Sequence, residues 1–504
     1  MFGRAKEPSN TEAVEIQRIQ EREEELLHSG KSTWDRMWPV LACGAGLFSD
    51  GYVNNVIGSV NTILSNIYGD KFSNSKARQN ISSLAFVGTV VGQLVFGYTS
   101  DKWSRKNSLL VSTVVLILFT ALSAGAYGAH GTLEGMFAAL TAYRFLVGIG
   151  IGGEYPAGSV ACSESSGELK SGTRNRWFIM FTNVMIDWGF VIGAFVPYLM
   201  VVICTTKHLR AAWRLCLGVG VVFPLVLFFM RIKLKEPEEF TKESMKYAKI
   251  PYLLVIRYYW WRLFVVSLIW FIYDFSTYSF GIYSSAILDT IIGSSAGLAT
   301  SFGWNTVLNL FYIPGAMLGG PFSDWIGPRY AIAIGVFLQG IFAFVMAAKY
   351  EVLSQPSHVA GFTVMYGIFL SLGELGPGDN IGLLASKTCA TGVRGQYYAF
   401  AAATGKIGAF VGTYLFPLIG KHGGGNATLS AQYQFYVSAS LCIFSAFLAT
   451  FCLPHVGQDT ITTEDIKFRE YLESNGYDTR QLGLKKGESL EQLEHTGVST
   501  PEKV

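Results

Sequence analysis

The chain predicts an all-α membrane protein, with twelve transmembrane helices arranged as two pseudo-symmetric bundles of six. Three observations predict it. Half of the 504 residues are hydrophobic and only 15% are charged, too little charge to cover a soluble domain of this size. Twelve apolar runs follow one another, each about 20 residues or longer, enough to cross a hydrocarbon core of about 30 Å as a helix. The halves also repeat. Asp50 and Asp274 stand 224 positions apart, while GYTSDKWSRK (97–106) and GPFSDWIGPR (320–329) stand 223 apart with Gly and Asp in register. Two agreeing offsets mark a duplication, and duplicated halves around a midplane site are a transport architecture.

The chain opens with a polar tail, 1–38, that includes EREEELL and has no cleavable signal, so the first span is expected to serve as its own. The first bundle occupies 39–231, with spans at 39–60, 80–100, 107–129, 134–158, 177–204 and 209–231. A charged linker, 232–261, separates it from the second bundle, 262–453. Spans there are expected at 262–288, 298–320, 329–349, 357–384, 396–420 and 431–453. The tail, 454–504, is polar and expected to be mostly disordered, with a short helix around Glu464 to Leu472. Lys102, Arg105, Lys106, Lys170, Arg174, Arg176 and the run from Arg231 to Lys249 all follow even-numbered spans. The positive-inside rule then puts both termini in the cytosol. The sequons at Asn80 and Asn426 fall outside, which makes a glycoprotein possible on motif grounds.

WFIYDFSTY (270–278) lies in an apolar run with no other charge between Arg262 and Asp289. A charge at the bilayer centre costs about 3 kcal/mol or more, so Asp274 is expected to face a polar cavity or a partner. Trp270, Asp274 and Tyr278 share one helical face at i, i+4 and i+8. Asp50, Glu154, Asp187, Glu374, Asp379 and Lys406 are further ionisable groups within the spans, and Arg144 lies in span 4. Each has a competing structural reading, a hydrogen bond or ion pair between helices. Lys406 is the one cation between Gln396 and Lys421, and Gly405 and Gly408 flank it, so a substrate or a helix can approach closely. Glu154 precedes Pro156, which frees a backbone carbonyl and interrupts helix regularity. Burial disfavours the charged form of a carboxylate, which suits Glu154 to proton uptake. Asp50 is the second proton candidate, with Arg144 as its charge partner.

Other classes find no support. Seven scattered cysteines without CxxC suggest neither a disulfide framework nor a zinc site. Gly148, Gly150 and Gly153 satisfy GxGxxG, but no strand precedes them, so close helix packing explains them better than a dinucleotide. No nucleophile elbow or phosphate loop occurs, and an enzyme is not expected. Nor is a cofactor or metal, a nucleic acid, or an obligatory protein partner.

The loop GYTSDKWSRK resembles the GxxxDxxxRK motif of the major facilitator superfamily. RFLVGIGIGGEYPAGSVACSE (144–164), WFIYDFSTY and AAATGKIGAFVG (401–412) resemble the span-4, span-7 and span-11 segments of its phosphate:proton symporter family, a branch that includes fungal glycerophosphoinositol permeases. The resemblance implies the twelve-helix major facilitator fold, alternating access and protons as the coupling ion. It implies that Lys406 binds phosphate and that Trp270 and Tyr278 line the site, with Tyr155 beside Glu154. The family usually has aspartate where this chain has Glu154. The resemblance also implies that Asp101, Arg105 and Asp324 lock the cytosolic side through charge contacts, against the reading of simple positive-inside anchoring.

Span 10 reads LSLGELGPGDNIG (370–382), where phosphate carriers tend to have FNFGPNTT, and Asp187 stands where they commonly have glutamine. Added acids repel bare phosphate but accept hydrogen bonds from hydroxyls or face a choline cation. The expectation is a proton-coupled importer of glycerophosphoinositol first and glycerophosphocholine second, in a fungal plasma membrane, with Lys406, Asp274, Tyr278, Trp270, Asp187, Glu374 and Tyr155 on substrate. The alternatives are an inorganic phosphate:proton symporter and, from another class, a phosphate-compound sensor without net transport. A sugar porter is disfavoured by Lys406.

Overall fold

A computed structural model describes residues 32–170, 172–293 and 297–484, except the side chain of Ala427. Most of the 1–38 tail and the end of the C-terminal tail lie outside them. All twelve expected spans are present as helical paths. Ten are long and apolar enough to cross a membrane by length and composition. Span 1, Leu47–Tyr68, has a buried polar face of Asp50, Asn54, Asn55 and Asn61 that lowers its apolarity. Span 8 is broken into Leu298–Leu310 and Tyr312–Ile326.

Polarity runs inside out, as a lipid solvent demands. Arg144, Asp187 and Lys406 are buried, while Phe229, Leu318, Phe447 and Phe451 stand exposed on the outside. Span 2, Lys76–Lys102, packs along span 4, Leu133–Gly153. A Cβ on Gly148 would fall 2.0 Å from the Ala85 carbonyl oxygen, so the GxGxxG stretch is a helix-packing seam.

Span 4 changes to a π-helical turn at Glu154–Ser159, the irregularity expected from Pro156. Span 10 does the same at Glu374–Gly378, over Pro377. The two turns sit at equivalent places in the repeat, and such turns widen a helix where side chains must be re-aimed. The halves meet along span 1 with span 7, span 2 with span 11, Arg394–Lys421, and span 5, Asn183–Cys204, with span 8.

Two expectations need correction. Span 7 begins in the linker: one helix runs Tyr252–Ile292, ten residues earlier than expected at 262. The C-terminal tail carries a helix at Thr460–Ser474, longer than the one expected, followed by a short turn at Thr479–Gln481. Both follow from the same packing. Phe468 and Tyr471 stack against Tyr258 and Tyr259 on the extension of span 7, and Arg262 pairs with Glu464 at 2.9 Å. Polar composition concealed an apolar stripe of Ile461, Phe468 and Leu472.

This tail helix also buries Asp465, which accepts from the backbone N–H and hydroxyl of Thr391 at 2.6 and 2.7 Å. Burial pushes its carboxyl up to about 7, against the pull of Arg394. The docked helix therefore holds this proton more tightly than a released one at the ordinary value of 3.8, and docking weakens as pH rises from about 4 to about 7. Amide exchange over Thr460–Ser474, corrected for intrinsic chemistry, is expected to be slower at about pH 5.5 than at about pH 8. Equal protection at both would mean that Arg394 holds Asp465 charged throughout.

Candidate substrate and proton site

Between the bundles lies a cavity of about 50 Å³, lined by Lys406, Asp274, Trp270, Tyr278, Tyr155 and Glu374 among others. Trp270, Asp274 and Tyr278, which share one face of span 7, all border it. Span 11 brings Lys406 to the same point. Its flanking glycine Gly408 receives the span-7 backbone, where a Cβ would lie 2.2 Å from the Phe271 carbonyl oxygen, so the close approach there is by a helix.

Lys406 Nζ sits between two carboxylates, 3.4 Å from Asp274 Oδ2 and 3.6 Å from Asp50 Oδ2. It also donates to the Tyr278 hydroxyl and lies 4.8 Å from the centre of the Tyr155 ring. Asp50 Oδ2 accepts from Tyr155 at 2.5 Å and from Tyr278 at 3.0 Å, and Oδ1 from Asn54 at 2.5 Å. The duplicated aspartates of the repeat thus converge on one ammonium, with a phenol from each bundle between them.

Arg144 interacts with the charge of Asp50, as expected, but without a direct hydrogen bond to it. Its guanidinium donates to the carbonyls of Val53 and Ile81, at 2.9 and 3.2 Å, and to Asn54 Oδ1 at 3.4 Å. Asn54 relays the contact, an amide that span periodicity could not single out.

Glu154 does not border the cavity. It forms a two-pronged pair with Arg231, at 2.6 and 2.7 Å, and both groups are buried. Arg231 ends span 6 and reads in sequence as one more cytosolic charge. Folded, it reaches inward to the carbonyl of Ala42 at 3.0 Å. The geometry is that of a structural clamp.

A second acidic group borders the cavity. Asn183 donates to Glu374 Oε2 at 2.9 Å and to Asp379 Oδ1 at 2.8 Å, and Tyr273 donates to Glu374 Oε1 at 2.8 Å. Asp187, one helical turn after Asn183, is fully buried near both acids but is not among the cavity-lining residues.

Both ends of the cavity are closed by contacts between bundles. On the Lys- and Arg-rich end, Asp101 accepts from the backbone N–H groups of Gly395 and Gln396, at 3.0 and 2.8 Å, at the N-terminus of span 11. Arg105 joins Asp101 at 2.5 Å and Glu164 at 3.0 Å, and Glu164 also takes Arg394 at 3.1 Å. In the mirrored place Asp324 accepts from Arg176, at 3.3 Å on the backbone and 3.2 Å on the side chain. Here the symmetry of charge fails, because Lys387 stands where the first half has Glu164. The tail makes up the difference: Asp459 pairs with Arg174, Lys387 donates to the Gln458 carbonyl at 3.1 Å, and Gln458 donates to Asp324 at 2.8 Å. On the opposite end Asn55 joins Asn309 at 2.9 Å, and Thr62 lies 3.4 Å from Ser285. Contacts between the bundles thus close the cavity at both of these ends. Among the described residues there is no group of side chains fit to hold a metal ion.

The family described as "Sugar (and other) transporter" matches residues 38–248 and 237–467. The glycerophosphocholine permease GIT4 of Candida albicans is 55% identical over 89% of this chain and 84% of its own length. The major glycerophosphoinositol permease GIT3 of the same organism is 53% identical over 89% and 84%. The glycerophosphoinositol transporter 1 of Saccharomyces cerevisiae is 34% identical over 90% and 86%. Among solved structures, the proton:xylose symporter XylE superposes with a TM-score of 0.70 over 86% of this chain and 98% of that one, at 16% identity, a likeness of fold.

Proposed function

This chain belongs to the sugar (and other) transporter family of the major facilitator superfamily, and we propose that it imports a glycerophosphodiester together with protons by alternating access. The plasma membrane, with both termini cytosolic, is the location that fits. The observation that carries the reading is the position of Lys406 between Asp50 and Asp274 in an occluded cavity, in a chain more than half identical to diester permeases.

Charge balance supplies the coupling. With one ammonium and two carboxylates ionised, the empty centre carries one net negative charge. A phosphodiester drawn to Lys406 adds a second. Doubling the negative charge in a low-dielectric cavity is unfavourable, so binding the anion favours a proton on one of the aspartates. We take Asp50 as the acceptor because its Oδ2 bonds a phenol from each bundle, Tyr155 and Tyr278, so a proton there changes the contact between the bundles.

The test is uptake into vesicles holding the full chain. Labelled glycerophosphocholine or glycerophosphoinositol is expected to accumulate under an inward proton gradient and to collapse to equilibration with a protonophore. Excess inorganic phosphate should displace either label poorly. If phosphate displaces them as well as the diesters do, the phosphate symporter is the better reading, and binding without uptake would indicate a sensor. Asp50→Asn is expected to keep exchange of internal for external diester while losing gradient-driven accumulation. Full accumulation in that variant would place the proton elsewhere.

A further inference from the structure

Most buried carboxylates in this protein face a cation. Asp50 and Asp274 face Lys406, Glu154 faces Arg231, and Glu164 and Asp101 face Arg105. The acids at the second cavity group do not. Among the described residues no lysine or arginine forms an ion pair with Asp187, Glu374 or Asp379, and each is at most 2% exposed. Asn183 and Tyr273 satisfy Glu374 and one oxygen of Asp379. Asp379 Oδ2 and both oxygens of Asp187 accept no hydrogen bond. Unpaired buried carboxylates are expensive, and a site retains them when something else supplies the positive charge.

The surroundings narrow what that is. Glu374 and Asp379 line the cavity, with Asp187 reinforcing their field from one turn behind Asn183. Tyr273, Trp270, Phe178 and Phe190 are aromatic walls of the same cavity. Glu374, whose two oxygens already hold Asn183 and Tyr273, stands next to these aromatic faces and attracts a cation that needs no hydrogen bond of its own, and a quaternary ammonium is such a cation. Gly378 keeps the acid in place, since a Cβ there would lie 2.0 Å from Glu374 Oε2 and 2.7 Å from the Tyr273 hydroxyl.

We propose that Glu374 and Asp379, backed by Asp187, form a head-group subsite that favours phosphodiesters bearing a quaternary ammonium over neutral polyol diesters. The inference rests on the reading of Lys406 as the phosphate anchor. The cavity is then bipolar, with the phosphodiester charge on Lys406 and the head-group charge on the acids. A polyol diester still enters, with its hydroxyls donating to the same carboxylates, but it leaves their charge uncompensated.

The test varies the ligand as well as the protein. Labelled glycerophosphocholine is taken up by vesicles holding the full chain, against two competitors: unlabelled glycerophosphocholine and its neutral isostere, in which a 3,3-dimethylbutyl ester replaces choline and carbon replaces nitrogen. The isostere is expected to compete about tenfold less well, or worse, because shape is kept and only the charge is lost. Glu374→Gln and Asp379→Asn should each bring that ratio toward one. An isostere equal to glycerophosphocholine in the native protein overturns the subsite while leaving diester transport intact. So does a ratio that survives both substitutions while proton-driven accumulation is lost, which would make these acids proton carriers. Failure to take up any phosphodiester would instead remove the transport reading on which the subsite stands.

Discussion

Lys406→Ala is expected to abolish diester uptake and binding while the protein still folds and inserts. The side chain is the cation of the cavity, and the variant leaves Asp50 and Asp274 facing each other without it. Two buried carboxylates that lose a shared ammonium take up protons instead, so the centre stays neutral and holds nothing that attracts an anion. The loss should exceed about a hundredfold in affinity, the scale on which one buried charge-assisted pair changes recognition. Lys406→Arg should not restore it. A planar guanidinium, wider than an ammonium, cannot take the place of a group that bonds Tyr278 and sits 3.9 Å from the centre of its ring. Radiolabelled uptake and thermal shift on the purified variant decide it, and near-normal transport would show that the anion binds elsewhere.

Arg231→Met is expected to have the largest effect on stability, about 3–5 kcal/mol, because it strands Glu154 as an unpaired buried carboxylate. Glu154→Gln alone should cost less, since an amide can still accept from Arg231, and the double variant Glu154→Gln with Arg231→Met should recover much of the loss. Melting in detergent over this cycle measures the coupling between the two groups. Glu154→Gln should also retain proton-driven accumulation. A variant that melts normally but has lost its coupling would return Glu154 to the proton pathway.

The sequence made the architecture legible because membrane spans, loop charges and a repeat are all one-dimensional signals. Trp270, Asp274 and Tyr278 were legible as one face for the same reason, since helical spacing fixes which residues share a side. Spacing does not fix what lies across from that side. Arg231 looked like a loop charge because it ends its span, and only the packing of that span beside Ala42 and Glu154 turns it inward. Glu154 and Glu374 occupy equivalent π-helical turns, yet one meets an arginine and the other an asparagine and a tyrosine. Asn54 and Asn183 were missed because an amide within a span gives no periodic or charge signal. The average polarity of the tail points to disorder, because it hides that Ile461, Phe468 and Leu472 share one helical face.

The segment from Gln458 to Asp459 fills a charge position that the second half of the chain lacks, and it touches no residue of the central cavity. Under the proposed alternating access the bundles part at this end, so Gln458 and Asp459 weigh on the balance between the closed and the open form there. A change confined to these two residues would retune that balance without altering any group that lines the cavity.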